Sequence, residues 1–212
     1  MVAGESATLS AMNANAPIYQ LTPAEAAQVE QIERKVVPGR SCGSCSLCCK
    51  VVSIALFDKP AGQWCSYAKP GKGCGIHRTR PFVCRAHFCE WMIAKGLGDE
   101  WKPDRARFAI LVRNDGNRLT AHVDPGSPNA WKREPYYTNF KRWAAEGALK
   151  RPVKLIDIMI GERLIVVLPD RDVEFGVLAP DEAIAMTRYP DGRLEASVVK
   201  QPAADVRELA HA

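Results

Sequence analysis

The second half of the chain alternates apolar and polar residues in a way that predicts β-hairpins. The stretches are residues 108–123, 152–170 and 183–199, with turns expected at Asn114–Asn117, Gly161-Glu162 and Pro190–Gly192. Between the first two hairpins, apolar residues recur at helical spacing and predict an amphipathic helix from about Pro135 to Ala145, closed by Gly147. This half therefore predicts an antiparallel sheet with one packed helix.

The first half predicts shorter and more irregular elements. Thr22 and Glu25 have the spacing of a capping box, and they predict a helix from about Pro23 to Val36 that Pro38-Gly39 ends. The other predicted elements are a strand over 51–57, two short strands around the turn 69–73, and a helix from about 81 through 91 to 96.

These patterns together predict an α+β fold, with a small cysteine-rich module followed by an antiparallel, hairpin-rich sheet and a packed helix. The expected divisions are a mobile N-terminal tail at 1–20, a helix and cysteine-rich module at 21–100, the hairpin region at 101–200, and a C-terminal tail or short helix at 201–212.

Composition narrows the class of protein. With 212 residues, 47% of them hydrophobic, the chain is long enough to form a core without a disulfide framework. Apolar runs fall short of the ~20 residues of a membrane helix. The first residues lack a basic segment followed by an apolar block. We therefore expect no membrane association and a cytoplasmic location, where thiols stay reduced.

Eight cysteines concentrate the candidate chemistry between residues 42 and 89. Four of them, Cys42, Cys45, Cys48 and Cys49, lie within eight residues. A two-residue spacer brings two sulfurs to one face of a turn, which is the arrangement that a tetrahedral metal ion needs. Buried structural thiols or disulfides are the alternatives, and four cysteines so close together favour metal ligation over both.

The neighbours Cys48 and Cys49 predict more than one metal centre. Side chains of adjacent residues diverge, so one ion does not readily accept both sulfurs as terminal ligands. We therefore expect the pair to divide between two centres or to bridge them. Cys89 would lie on a different helical face from Cys84, since five residues rotate the side chain by about 140°. His77 and His87 are further candidate ligands because they follow Cys74 and Cys84 closely.

The ordered motifs "CGSCSLCC", "WC", "GCGIH" and "RPFVCR" resemble the YkgJ-type cysteine-cluster family, the zinc- or iron-chelating CxxCxxCC domain. The resemblance covers about residues 42–91, roughly a quarter of the chain. It implies chelation of zinc or iron, and His77 stands where the family usually has an aromatic residue. The positions that match the family's cysteines are Cys42, Cys45, Cys48, Cys49, Cys65, Cys74 and Cys84.

Three classes of function remain open. The first is a zinc- or iron-binding protein that holds two or more ions or a cluster. The second is an iron–sulfur redox protein or enzyme. Cys42, Cys45 and Cys48 match the start of a bacterial ferredoxin run, although Val52 replaces its fourth cysteine. Some flagellin lysine methylases also carry a similar cluster, so a methylase-like enzyme is implied by resemblance only.

The third class is a zinc-stabilised nucleic-acid module, which the charge does not favour. The formal charge is +5, and two divalent ions on eight thiolates would reduce it to about +1. The basic and aromatic residues near Trp143 are better explained by the packed helix. The expected partners are therefore metal ions, and a protein partner is left open.

Overall fold

The computed structural model describes residues 18–113 and 116–201, which form an α+β fold with mostly antiparallel sheets, as the sequence predicts. The expectations for residues 1–17, for 202–212 and for the turn at Asn114-Asp115 lie outside the described residues. None of the helices described in these two ranges has the length and apolar character needed to cross a membrane.

The first half is built from short elements. They are α1 (Pro23–Glu33), α2 (Cys48–Val51), β1 (Ala68–Lys69), β2 (Gly73–Cys74), α3 (Phe82–Arg85), α4 (Glu90–Ile93) and α5 (Pro103–Ala106). The capping box of α1 is confirmed, because the Thr22 hydroxyl accepts from the Glu25 amide at 3.3 Å while the Glu25 carboxylate accepts from the Thr22 amide at 2.8 Å.

Two predicted elements of this half are wrong. The predicted strand over 51–57 is instead the end of α2 followed by a 3₁₀ turn at Ala55–Phe57. Its β-branched residues are buried, but Val51 and Val52 pack as part of a helical turn against the sheet and pair with no strand. The predicted helix over 81–96 is broken into α3 and α4, because Cys89 is extended at φ −74° and ψ 156°.

The second half contains the main sheet. Its elements are β3 (Phe108–Arg113), β4 (Arg118–Val123), α6 (Tyr136–Ala148), β5 (Leu155–Ile160), β6 (Arg163–Val167), β7 (Asp172–Val177), β8 (Glu182–Arg188) and β9 (Leu194–Lys200). The strand order is β3-β4-β5-β6-β7, and β8 and β9 form a separate antiparallel pair. All three predicted hairpins are present, whereas β7 was not predicted.

One pairing departs from the predicted antiparallel pattern. β4 and β5 are parallel, with Leu119 beside Ile156 and Ala121 beside Ile158. The connection between them runs through α6, which returns the chain along the same direction. The sequence predicts that Gly147 ends this helix, but α6 continues to Ala148. A Cβ at Gly147 would lie 2.6 Å from the Lys154 carbonyl oxygen, so glycine is needed for close approach to the returning chain.

The sheet has two different faces because side chains alternate along each strand. One face packs against α6 and buries an aromatic cluster, in which the Trp101 ring lies 4.9 Å from the Tyr136 ring. The other face presents Ala109 and Leu111 of β3, against which Leu47 and the α2 residues pack. The α2 part of the cysteine-rich segment therefore lies on the face opposite α6, whereas Trp91 and Met92 of α4 pack into the aromatic cluster.

Asp124, directly after β4, joins this segment to the sheet. Its buried carboxylate accepts from Lys50 of α2 at 2.6 Å, from Arg107 before β3 at 2.5 Å, and from the Gly126 amide at 2.9 Å. Burial would raise the pKa of Asp124, but the bonds from Lys50 and Gly126 and the charge of Arg107 outweigh it and hold the pKa below its usual value.

We predict that Asp124→Asn destabilises the protein by about 2–3 kcal/mol, because the hydrogen bonds to a buried charged group are weakened while the partly exposed Lys50 and Arg107 stay hydrated. The contribution is fully present above the ordinary carboxyl pKa of 3.8 and is lost as pH falls through the lower folded value. Urea unfolding at neutral and acidic pH measures both effects. Asp170→Asn is the control, since Asp170 is exposed and bonds Arg171 at the surface. Equal losses for the two variants would contradict the prediction.

Candidate metal centre

The first cysteines lie on a tight turn that leads into α2. The Cys45 amide donates to the Cys42 carbonyl at 2.8 Å, and Gly43 has φ +52°, which the turn requires. A Cβ at Gly73 would lie 2.9 Å from the Gly43 carbonyl oxygen, so the β1–β2 hairpin packs directly against this turn. The hairpin thereby brings Cys74 to the turn from a position far along the chain.

One group of thiols lies between this turn and the sheet, and we call it the first group: Cys42, Cys45, Cys48 and Cys89. Three of its members, Cys45, Cys48 and Cys89, pack against the same apolar cluster of α2 and β3. Burial, followed by the charges of Cys42 and Cys45, raises the pKa of Cys89 to about 12. Because the helix predicted over 81–96 is broken, Cys89 reaches this group as the residue before α4.

The other thiols, which we call the second group, are Cys49, Cys65, Cys74 and Cys84. The Cys65 amide donates to the Cys49 carbonyl at 2.9 Å. Burial, followed by the charges of Cys49, Cys65 and Cys74, raises the pKa of Cys84 to about 11, although Arg80 opposes the shift. Residues far apart in sequence are thus gathered around the start of α2.

Cys48 and Cys49 connect the two groups. The Cys48 thiol donates a hydrogen bond to the Cys49 sulfur, and this bond is the largest influence on the pKa values of these two residues. It raises the pKa of Cys48 and, with Arg80 and Lys59, lowers that of Cys49 in spite of burial. The charges of Cys42 and Cys45 also raise the pKa of Cys48, whereas the Cys49 charge adds to burial in raising the pKa of Cys74 and Cys84, and it also contributes to the raised pKa of Cys42.

Two cations lie among the thiols. The positive charge of Arg80 opposes the rise that burial causes in the pKa of Cys42, Cys74 and Cys84, and it contributes to the lowered pKa of Cys49. Its buried Nε has no hydrogen-bond partner in the described residues. The buried Lys59 ammonium donates to the carbonyls of Lys50 at 3.0 Å, Pro60 at 3.1 Å and Val52. Neither residue is among the candidate site residues that the sequence predicts.

Arg85, the last residue of α3, acts differently from Arg80. Arg85 donates from Nε to the Arg80 carbonyl at 2.7 Å and from Nη2 to the Arg78 carbonyl at 2.8 Å. These bonds hold the loop that carries Arg80. The role of Arg85 is therefore structural, and the structure separates it from Arg80, which faces the thiols.

The two candidate histidines lie in different surroundings. His77 begins a 3₁₀ turn, and burial with the charges of Arg80 and Arg85 lowers its pKa. His87 has a buried Nε2 without a partner among the described residues, and burial, with Arg113 and Arg80, lowers its pKa to about 4. His87 lies close enough to His122 of β4 to lower the pKa of that residue.

The type and number of donors fit soft or borderline metal ions, since thiolates suit zinc, iron–sulfur clusters and Cu(I). The donor atoms of these side chains do not lie around a common point. Across residues 18–113 and 116–201, no three cysteine, histidine, aspartate or glutamate side chains are placed to hold a metal ion. Rotation of cysteine side chains between staggered positions is the smallest change that moves the sulfurs together, and it would break the Cys48–Cys49 bond.

Comparison of the chain with protein-family models, curated proteins and solved structures found no match. The resemblance to the CxxCxxCC domain therefore stays a resemblance of motifs.

We predict that Cys49 is the first cysteine to be alkylated in reduced, metal-free protein, because its lowered pKa gives it the largest thiolate fraction. Its labelling by iodoacetamide rises at lower pH than that of Cys84 or Cys89. Peptide mass spectrometry between about pH 6 and 9 gives the order of labelling.

Variants of Cys48 test the cause of this reactivity. Cys48→Ala removes the donor to Cys49 and moves its labelling to higher pH, whereas Cys48→Ser keeps a donor and preserves the order. Labelling of Cys49 that is the same in both variants would contradict the assigned cause.

Proposed function

We propose that this protein chelates zinc or iron through its clustered cysteines and holds at least two metal centres. The observation that carries the proposal is that Cys48 packs with Cys45 and Cys89, while the charge of the adjacent Cys49 adds to burial in raising the pKa of Cys74 and Cys84. On this basis we divide the eight thiols into two groups of four. One tetrahedral zinc ion or one cubane cluster takes four protein ligands. Each group supplies that number, so the proposal needs no histidine ligand.

The state of the thiols supports ligation over disulfide formation. All eight cysteines lie within the described residues, and all are free. Burial raises the pKa of most of them, so the bare thiols hold their protons at neutral pH. A bound cation would supply the charge that stabilises the thiolates, and it would release protons as it binds. We place the protein in the cytoplasm on the same grounds, since reduced thiols persist there.

The cations near the thiols fit this proposal. A divalent ion with four thiolates carries a net charge of about −2, which is costly to bury without compensation. The positive charge of Arg80 favours the thiolate form of members of both groups, and the charge of Lys59 favours the thiolate of Cys49. These residues would stabilise the ligated state by charge and hydrogen bonding to sulfur, and they would not themselves bind the metal.

An iron–sulfur redox protein is the second candidate, and the position of Cys89 favours it. Cys42, Cys45 and Cys48 have the spacing of a ferredoxin run, and Val52 replaces the fourth cysteine. Cys89 lies with these three residues and would supply the missing ligand from another segment. The visible absorption spectrum of protein purified without oxygen, with analysis of iron, zinc and sulfide, separates a cluster from zinc. A methylase-like enzyme stays a proposal by resemblance only.

We predict that Cys89→Ser and Cys84→Ser each lower the metal content by about half, because each removes a ligand from a different centre. The double variant should lose nearly all metal. The sequence predicts Cys89 on a different helical face from Cys84, but its position beside Cys42 and Cys45 makes it a candidate ligand equal to Cys84. Metal analysis of purified protein, with Ser41→Ala as the control, measures the content. A double variant no worse than either single variant would indicate one shared centre.

We also predict that metal removal exposes the segment from Cys42 to Trp91 more than the main sheet. That segment has short elements, so ligation would supply much of its folding free energy. Chelation followed by hydrogen exchange measures protection along the chain. Uniform loss over both halves would contradict a separate contribution of metal to this segment.

A further inference from the structure

A cavity of about 480 Å³ lies between the loop after α2 and the sheet face opposite α6. The loop contributes Ser53, Pro60 and Ala61, and the sheet contributes His122 of β4, Met159 of β5 and Leu164 of β6. This volume lies within the range of small-molecule binding sites, which are mostly apolar with a few placed polar groups.

His122 is the polar group in the wall that lacks a partner. Both of its ring nitrogens are buried, and neither has a hydrogen-bond partner within the described residues. Burial of a polar atom without a partner is unfavourable, so such an atom points to a ligand or an ordered water. Burial, with the charges of Arg113, His87 and Lys59, lowers the pKa of His122 to about 4. The ring is therefore neutral at pH 7 and offers one donor and one acceptor.

Arg118 is the cation in the wall of the cavity. Its Nε donates to Asp157 of β5, which leaves its two terminal nitrogens for another acceptor. Asp157 is paired in register with Thr120, so this bond holds the guanidinium near the level of Thr120. Thr120 and His122 are two residues apart on one strand, which separates the cation from the imidazole by about 7 Å.

The remaining lining limits the charge and shape of a ligand. Met159, Leu164 and Val177 provide apolar surface between and around the two polar groups. Glu162 lines the mouth at the β5–β6 turn and is exposed. Its charge opposes a second anionic group at that end, so the lining favours a ligand with a single negative charge.

We propose that this cavity binds a small monocarboxylic acid that has an apolar body and a hydroxyl group at the far end. The carboxylate binds the terminal nitrogens of Arg118, and planar recognition of this kind suits a guanidinium. The hydroxyl bonds the imidazole of His122, and the body packs against Met159 and Leu164. This site is separate from the proposed metal centres and does not depend on them.

The test uses 4-hydroxyphenylacetate as the probe, because its carboxylate and hydroxyl lie at opposite ends of an aromatic ring. Titration of the full-length protein by calorimetry should give saturable binding with one site per chain. Phenylacetate lacks the hydroxyl, and 2-(4-hydroxyphenyl)ethanol lacks the carboxylate. Each comparison compound should bind about tenfold more weakly or worse, as expected for the loss of one good hydrogen bond.

Two variants locate the binding. His122→Leu removes the unpartnered nitrogens, so its melting temperature should be unchanged or higher, while 4-hydroxyphenylacetate and phenylacetate should then bind equally. Ala61→Trp places a large ring in the loop wall and should abolish binding of all three compounds. Metal content is measured in parallel and should match the wild type.

The proposal is overturned if none of the three compounds shows saturable binding to the wild type. It is also overturned if Ala61→Trp binds the probe as the wild type does, which would place the binding elsewhere. This second variant changes a loop residue on the cavity wall, so the test stands even where His122→Leu lowers the yield of folded protein.

Discussion

The arrangement of the two halves depends on the ion pairs that the buried carboxylate of Asp124 forms with Lys50 and Arg107. This carboxylate receives Lys50 from the cysteine-rich segment and Arg107 from the chain that enters β3, and it caps the loop at Gly126. Lys50 follows Cys48 and Cys49 directly in α2. The bond therefore fixes the rotation of this one-turn helix, and with it the directions in which the two adjacent thiols leave the backbone.

That rotation explains how one short helix serves two groups of thiols. Successive residues of a helix point about 100° apart, so the side chains of Cys48 and Cys49 leave the backbone toward different surroundings. Val51 lies on the side that packs against Ala109 and Leu111 of the sheet. Cys48 is held near that apolar side with Cys89, while Cys49 is turned toward the β1–β2 hairpin and Cys84. Apolar packing on the sheet and the division of the thiols are consequences of the same orientation.

The elements that could be predicted from the sequence are those whose signals are local. The hairpin turns at Gly161 and Gly192 are fixed by residues that tolerate positive φ, and the capping box of α1 lies within four residues. The parallel pairing of β4 with β5 was missed because it depends on where α6 returns the chain, which no short pattern records. β7 was missed for a similar reason, since its exposed edge position weakens the apolar alternation.

The candidate site shows the same division between local and distant information. The C-x-x-C turn and the different surroundings of Cys48 and Cys49 follow from spacing alone. The position of Cys89 does not, because the helix that would have contained it is interrupted by an extended residue. Arg80 resembles its neighbours Arg78 and Arg85 in sequence, and only the path of the loop distinguishes a residue that faces thiols from one that bonds carbonyls.

The loop from Ser53 to Ala61 gives the thiols and the cavity a common wall. Lys59 is buried in this loop, where backbone carbonyls hold its ammonium in place. Its charge adds to the Cys48 hydrogen bond that lowers the pKa of Cys49 on one side, and to the burial that lowers the pKa of His122 on the other. Electrostatic interactions are weakly screened in a buried environment, so one fixed cation acts on both sites at once. It favours thiolate at Cys49 and a neutral imidazole at His122, which are the protonation states that a metal ligand and a hydrogen-bonding wall residue respectively require.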